Sequence, residues 1–425
     1  MVVGKRSITQ FDKWFSYSVI LLPFLYQYKG IGSFISMGEV LIAIMTLIEL
    51  WQDQFKLKQP NKYLFAFYAV SLVSTVICMG FSYFNMSAAA TLIIRLVFYA
   101  LVIIVAREHF DLDCVSRLYT GLVFLFSLYL IIQYAYHITT GGYLPIYLKS
   151  NLQFPPEARP ENLAVYYRWF FRPSSLFLEP GYFTLYVMPA VCMIVFSQRR
   201  TGFELVTLLT TIIAILLSTG SAGITSLLII FAVYFFDGAE NRSKYKLFMK
   251  IAVVVSAICG VVIFFTVSDV AALTLGRLKS GGSFANRITR GIITFSELDF
   301  FHQIVGVGLN NLEPYMLYYG MSTEFDEGNL NYTASFIQTL NFSGIVGFCV
   351  LAIFIGNLII RAIAISNVRD ERNYLYGKGV LWSLLFLIIF IMSFEAMLFT
   401  YRFAFYMIVY EALCRRFIAE RNSLI

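Results

Sequence analysis

The sequence predicts an all-α polytopic membrane protein of about twelve transmembrane helices, with two long extracytoplasmic loops containing short helices. Three observations carry that expectation. Of 425 residues, 59% are hydrophobic and 13% charged, against roughly 45–50% and 25% in soluble domains, and the mean hydropathy is +0.73. Apolar runs long enough to cross the hydrocarbon core, about 20 residues each, recur from Trp14 to Phe417. Between them, lysine and arginine gather in alternate connections, as cytoplasmic loops require.

Taken in order, the first run, about 14–28, follows Lys5 and Arg6 with no small-residue cleavage site behind it, so an uncleaved span is expected rather than a signal peptide. Spans at about 32–51, 63–84, 88–106 and 117–137 come next. A long connection, 138–179, separates them from spans at about 180–197, 203–218, 220–236 and 247–267. A second long connection, 268–332, precedes the last three, at about 333–360, 378–398 and 401–417. One integral membrane domain, 1–425, is expected, with no separate soluble domain. The pair 203–218 and 220–236 is where the count is weakest. Small residues in Ser218-Thr-Gly-Ser-Ala-Gly223 permit close helix packing or a break near the outer surface. If the pair were one span, the orientation of everything after it would flip.

The basic groups include Lys5 and Arg6, Lys56 to Lys62, Arg107 and Arg117, Arg199 and Arg200, Arg242 to Lys250, Arg361 to Lys378, and Arg415 to Arg421. All fall on one side, which puts both termini in the cytoplasm and both long loops outside. The net charge of +7 is explained by these loops, and nucleic acid is not implied. Neither long loop has the composition of a disordered segment: Tyr166, Tyr167, Trp169, Phe170 and Phe171 in the first, and Ile292, Ile293, Phe295, Phe300 and Phe301 in the second, suit packing on the membrane or on each other. No cysteine lies in either loop, so no disulfide is expected.

Three groups of residues suggest chemistry. The first is Arg168, Arg172 and Glu179 in the stretch Arg172-Pro-Ser-Ser-Leu-Phe-Leu-Glu-Pro-Gly-Tyr-Phe183, where a long polar loop re-enters the membrane. Proline favours the first helical position, so Glu179 is expected at a helix N-terminus, where capping alone would account for it. As a functional group, a carboxylate held ionised by a neighbouring arginine is a base for a hydroxyl nucleophile, and the arginine itself can bind an anionic leaving group. The second group is Arg277, Lys279, Arg287 and Arg290. A helix over Phe284 to Leu298 would set Arg287 and Arg290 at i and i+3 on one face, suited to clamping a diphosphate. The bland alternative is a basic face attracted to anionic headgroups. The third signal is Arg95, inside Thr91 to Ala106, where an unpartnered charge costs at least about 2.5–3.5 kcal/mol and calls for a polar cavity, a partner or snorkelling. His302 is outside and is a weaker acid–base candidate. No zinc-binding His pair, phosphate-cradling Gly-Lys-Ser loop or metal-spaced Cys pair occurs, so neither metal nor cofactor is expected.

The many spans, the two long loops, the Arg172 to Phe183 stretch, and Asn286-Arg-Ile-Thr-Arg-Gly291 followed by Ile304-Val-Gly-Val-Gly-Leu-Asn-Asn311 resemble the Wzy-type polymerases of O-antigen and capsular repeat units. Some of those proteins carry an arginine with a glycine sixteen positions on, a spacing matched by Arg290 and Gly306 but not from Arg168 or Arg172. The amide-rich stretch Asn331 to Gly347 is similar too. Where related O-antigen ligases place a His-Asn pair, this chain has Asn329, Asn331 and Tyr332, a departure that favours polymerase over ligase.

The resemblance implies a glycosyltransferase of the bacterial cytoplasmic membrane, acting outside on undecaprenyl-diphosphate-linked oligosaccharides as donor and acceptor. A chain-length regulator and a flippase would be its partners. Glu179, Arg172 and Arg290 would be catalytic, while Arg95, Arg168, Arg277, Arg287, His302, Asn310 and Tyr182 would bind substrate. Two alternatives stay open, a ligase-like transferase and a lipid-linked oligosaccharide flippase or transporter, the latter more often built from repeated halves with short connections.

Overall fold

The computed structural model describes residues 9–31, 35–54, 61–146, 171–197, 200–218, 220–236, 283–321, 334–366, 372–394 and 397–423. Arg168, Arg277 and the expected span 247–267 lie outside them. Among the described residues the chain is all α, with a lone β-bridge between Lys29 and Ser36. The helices are α1 (Gln10–Leu25), α2 (Met37–Gln52), α3 (Lys62–Cys78), α4 (Met86–His109), α5 (Leu112–Thr140), α6 (Pro180–Val195), α7 (Gly202–Leu217), α8 (Ser221–Phe236), α9 (Ser283–Glu297), α10 (Phe300–Val305), α11 (Leu312–Tyr318), α12 (Ser335–Ser366), α13 (Arg372–Phe394) and α14 (Tyr401–Ser423). Each expected span other than 247–267 overlaps one of these helices, with ends that differ by up to about six residues. Helices α4, α5 and α12 are long and apolar enough to cross a membrane, and α9 to α11 are the short helices expected in the second loop.

Local sequence sets most boundaries. Thr9 with Asp12, Ser36 with Glu39, and Thr201 with Glu204 form reciprocal capping boxes that start α1, α2 and α7. Asn61, Asn85 and Asp111 accept from the first free amides of α3, α4 and α5. The uncertain pair at 203–236 forms two helices. A Cβ built on Gly223 would lie 2.8 Å from Cγ2 of Ile215, whereas eight residues along one straight helix span about 12 Å. The chain therefore reverses between α7 and α8.

Helices α6 and α14 form the centre, buried almost throughout from Phe183 to Val195 and from Phe403 to Cys414. The surrounding helices turn large apolar side chains outward: Leu47, Val76, Ile94, Leu125, Ile213 and Ile360 are all exposed, Ile94 at 67%. Exposed aliphatic stripes on helix after helix, with hydrogen-bonded polar groups inside, suit a lipid surround and would be costly in water.

Two breaks in the helical ladder show how the interior stays hydrogen-bonded. Pro189 in α6 has no N–H for the Leu185 carbonyl four residues back, and the Tyr406 hydroxyl donates to that oxygen instead at 2.7 Å. The Tyr119 hydroxyl donates to the next carbonyl, that of Tyr186. In α12 the break is at Gly344 (φ 63°). The segment 305–309 of the second loop inserts there, Val307 donating to Asn341 O and Gly308 to Phe342 O, both at 3.0 Å. From the other side Ser74 and Cys78 donate to the carbonyls of Val305 and Gly306, while Thr75 accepts from Leu309 N–H. Gly306 (φ 90°) and Gly344 meet backbone to backbone: a Cβ on Gly344 would lie 2.6 Å from the Gly306 amide nitrogen, and one on Gly306 would lie 2.5 Å from that of Ser343.

Candidate functional site

The first loop returns into the bundle immediately before α6. Ser175, fully buried with a left-handed φ of 59°, is held on three sides. Its N–H donates to Gln133 Oε1 at 2.9 Å, its carbonyl accepts from Gln133 Nε2 at 3.0 Å, and its hydroxyl donates to Phe126 O at 2.7 Å. Gln133 lies seven residues inside the C-terminal end of α5, about 10 Å along its axis, so the loop reaches well below the helix end. Gln27, just beyond α1, donates to the next carbonyl, that of Leu176. A non-glycine residue held at positive φ by several hydrogen bonds marks a segment whose shape is fixed by its surroundings.

This anchoring presents Arg172 and Glu179 at the start of α6. Glu179 is the N-cap, as expected, but its side chain makes no capping hydrogen bond; capping does not account for the carboxylate. Nη2 of Arg172 lies beside Gly220, 3.9 Å from where a Cβ would stand, and the same point is 3.9 Å from Cβ of Pro180. The guanidinium thus sits where the N-termini of α6 and α8 meet, each the positive end of a helix dipole. Across the same turn, the Arg402 guanidinium lies over the Tyr182 ring with Cζ 4.0 Å from the centroid and 5.7 Å from that of Tyr401. The Tyr401 ring stacks on Tyr26 at 4.0 Å. The hollow lined by Tyr182, Tyr401, Arg402 and Tyr406 holds about 10 Å³, room for one water at most, so these side chains are packed in place.

Arg95 joins from below. With Glu39, Tyr401 and Arg402 it is among the groups whose charge reaches the Tyr26 hydroxyl, and with Glu39 it acts on Tyr99. Glu39 is buried, accepts from the Tyr99 hydroxyl at 2.7 Å, and receives the Ser36 N–H of its own capping box.

The second loop is arranged differently. Helix α9 forms where expected, carrying Arg287 and Arg290 three positions apart; the Arg287 side chain lies outside the described ones. Arg290 is half-buried, and its helix rests on α12, with Asn341 donating to Gly291 O at 3.4 Å. Arg290 therefore belongs to a different support from Arg172 and Glu179. His302 is a buried member of the loop layer. Nδ1 is 2.5 Å from Asp299 Oδ2, which also accepts from the Tyr315 hydroxyl at 3.0 Å. The other ring nitrogen is buried without a hydrogen-bond partner, and the imidazole packs edge-on against the rings of Phe81 and Tyr315, with centroids 4.9 Å apart in each case. The Asn310 amide donates to Ala88 O at 3.2 Å, fastening the loop to α4. Both residues make contacts that support the fold. Gly306, the sixteenth residue after Arg290, has a structural reason of its own in the close backbone contact with α12.

Sequence reasoning missed Arg402, Glu39 and Tyr26. The signal was present for the first two, each a charge inside an expected span, the same feature that singled out Arg95. No protein-family model matches the chain, and no curated protein matches it.

Proposed function

We propose that this protein is a multi-pass glycosyltransferase of the bacterial cytoplasmic membrane that polymerises undecaprenyl-diphosphate-linked oligosaccharide repeat units into O-antigen or capsular polysaccharide. The observation that supports this reading is the set of charges around the first turn of α6: Arg172 beside Gly220, Glu179 at the N-cap and Arg402 over the Tyr182 ring. An acceptor hydroxyl attacks the anomeric carbon of the donor sugar. The bond from that carbon to the diphosphate oxygen breaks, and the lipid diphosphate leaves with the electron pair. Arg172 and Arg402, planar and permanently charged, stabilise the negative charge that develops on it. Glu179 takes the proton from the hydroxyl, Tyr182 holds Arg402 in position, and Arg95 supports the group from below. Arg168 from the first loop, and Arg290 with Arg277 and Arg287 from the second, would contact the diphosphate or glycan.

The finer topology belongs to the same proposal: about twelve spans, both termini cytoplasmic and this end of the bundle outside. The test is to incubate the purified protein with a defined undecaprenyl-diphosphate-linked repeat unit, with and without chelator, and separate the products. A ladder of multimers is expected; Arg172→Ala and Arg402→Ala abolish it, and Glu179→Gln slows it by about 10²- to 10⁴-fold, the usual worth of a general base. Single units carried across vesicle membranes with no ladder would overturn the proposal in favour of a transporter. Transfer of finished chains to another acceptor would favour the ligase.

A further inference from the structure

A second charged cluster lies at the other end of the bundle. Asp12 is on the first turn of α1, Glu49 on the last turn of α2, Asp53 is the C-cap of α2, and His109 ends α4. Fourteen residues of helix separate Asp12 from Tyr26 and His109 from Arg95, about 21 Å in each case. Asp12, Glu49 and His109 are 4%, 1% and 3% exposed. His109 Nδ1 is 2.7 Å from Asp12 Oδ1 and 3.1 Å from Glu49 Oε2, and Nε2 is 3.0 Å from Asp53 Oδ2.

An ion-pair network alone accounts poorly for Glu49. Nδ1 carries at most one hydrogen, its short contact is to Asp12, and neither Glu49 oxygen has a hydrogen-bond partner. A buried carboxylate in that state is strongly disfavoured. The surrounding bonds are those of a built site. The other Asp12 oxygen accepts from Thr9 N–H at 2.7 Å, and Ser16 donates to the carbonyls of Asp12 and His109, fixing α1 against α4.

We propose that Asp12, Glu49 and His109 bind a divalent transition-metal ion through Oδ1, Oε2 and Nδ1, with Asp53 accepting from the Nε2–H. Ligands about 2.1 Å from one ion stand roughly 3.0–3.4 Å apart in octahedral or tetrahedral geometry, and the three atoms lie within 4.8 Å of one another. One imidazole with two carboxylates suits zinc, manganese or iron(II) better than calcium or magnesium. A carboxylate on the second imidazole nitrogen is the usual device for orienting a ligating histidine. A cleft of about 220 Å³, lined by Asp12, His109, Asp111, Arg415 and Arg416, gives the ion a way in. The ion ties together the ends of α1, α2 and α4. Its distance from Arg95 and Tyr26 makes it a structural site, separate from glycosyl transfer.

The test uses full-length protein in detergent, stripped with chelator and titrated with zinc or manganese alone, read by calorimetry and thermal unfolding. One saturable equivalent is expected, with an upward shift of about 3–5 °C at hundredfold excess over Kd. Glu49→Gln should weaken binding at least tenfold and Asp53→Asn by about 10- to 100-fold. Asp113→Asn, in the same cleft but paired with Arg416, should leave it unchanged. If Glu49→Gln fails to fold, cobalt(II) added to the unaltered protein should give visible d–d absorption. No saturable uptake by the unaltered protein, or binding that survives unchanged in Glu49→Gln and Asp53→Asn, would overturn the proposal.

Discussion

Replacing Gly306 with alanine tests how the second loop is held in the bundle. At φ 90° an alanine is strained, which costs about 1–3 kcal/mol. Its Cβ would also overlap the Phe342 carbonyl and lie 2.5 Å from the Ser343 amide nitrogen. Neither neighbour is the far end of a flexible side chain, so the loop must lift from α12. That motion breaks the Val307 and Gly308 hydrogen bonds to Asn341 and Phe342, about 1 kcal/mol each. The sum is about 3–5 kcal/mol. Gly308 is the internal control: its φ is 86°, but the nearest neighbour of a Cβ there is the Phe84 ring at 3.2 Å, so Gly308→Ala carries the strain without the backbone overlap.

Cys78 reports the difference. It is fully buried, with its thiol 3.3 Å from Gly306 O, and reacts with a maleimide only when the loop opens. A loss of 3–5 kcal/mol of protection corresponds to labelling about 10²- to 10⁴-fold faster. Labelling is followed by peptide mass spectrometry, with buried Cys192 and Cys414 as references. If Cys78 in Gly306→Ala labels no faster than in Gly308→Ala, the inserted segment does not depend on this contact and the reasoning fails.

Two further perturbations follow from single interactions. Arg361 and Glu411 form a two-pronged, partly buried pair between α12 and α14, at 2.6 and 3.1 Å; removing either partner should cost about 1–3 kcal/mol, and joint replacement with Arg361→Met and Glu411→Leu should recover most of it, as measured by apparent Tm. Asp299 carries a pH signature: burial raises its carboxyl, but hydrogen bonds from His302 and Tyr315 outweigh that and hold it below the ordinary 3.8. A carboxyl depressed in the folded chain contributes stability above pH of about 4 and loses it as pH falls through the native value. Asp299→Asn should therefore lower Tm at pH 7, by an amount that shrinks below pH 4; a gap that widens on acidification would contradict this assignment.

Much of the fold was legible from short-range signals. Apolar runs of spanning length located the helices, and Pro180 marked the start of α6, because both effects act within a few residues; the starts of α1 and α2, capped by Thr9 and Ser36, fall several residues from the edges of their apolar runs. The same locality exposed Arg172, Glu179 and Arg95 as charges out of place. It could not show that the Glu179 side chain makes no capping hydrogen bond, or that His302 packs on Tyr315 and Asn310 bonds to Ala88, since Tyr315 and Ala88 arrive from other elements.

The sequence by itself determined an all-α chain with an apolar exterior and a basic, aromatic stretch ahead of the Pro180 helix, because hydropathy and backbone preference are properties of neighbouring residues. Tertiary structure decided which charges meet. Arg402 reaches Tyr182, Glu39 reaches Tyr99, and Asp12, Glu49 and His109 converge, each across tens or hundreds of residues. In a low-dielectric interior, charges and unpaired carbonyls are satisfied by whichever donor the packing brings near, and that is a property of the folded bundle alone.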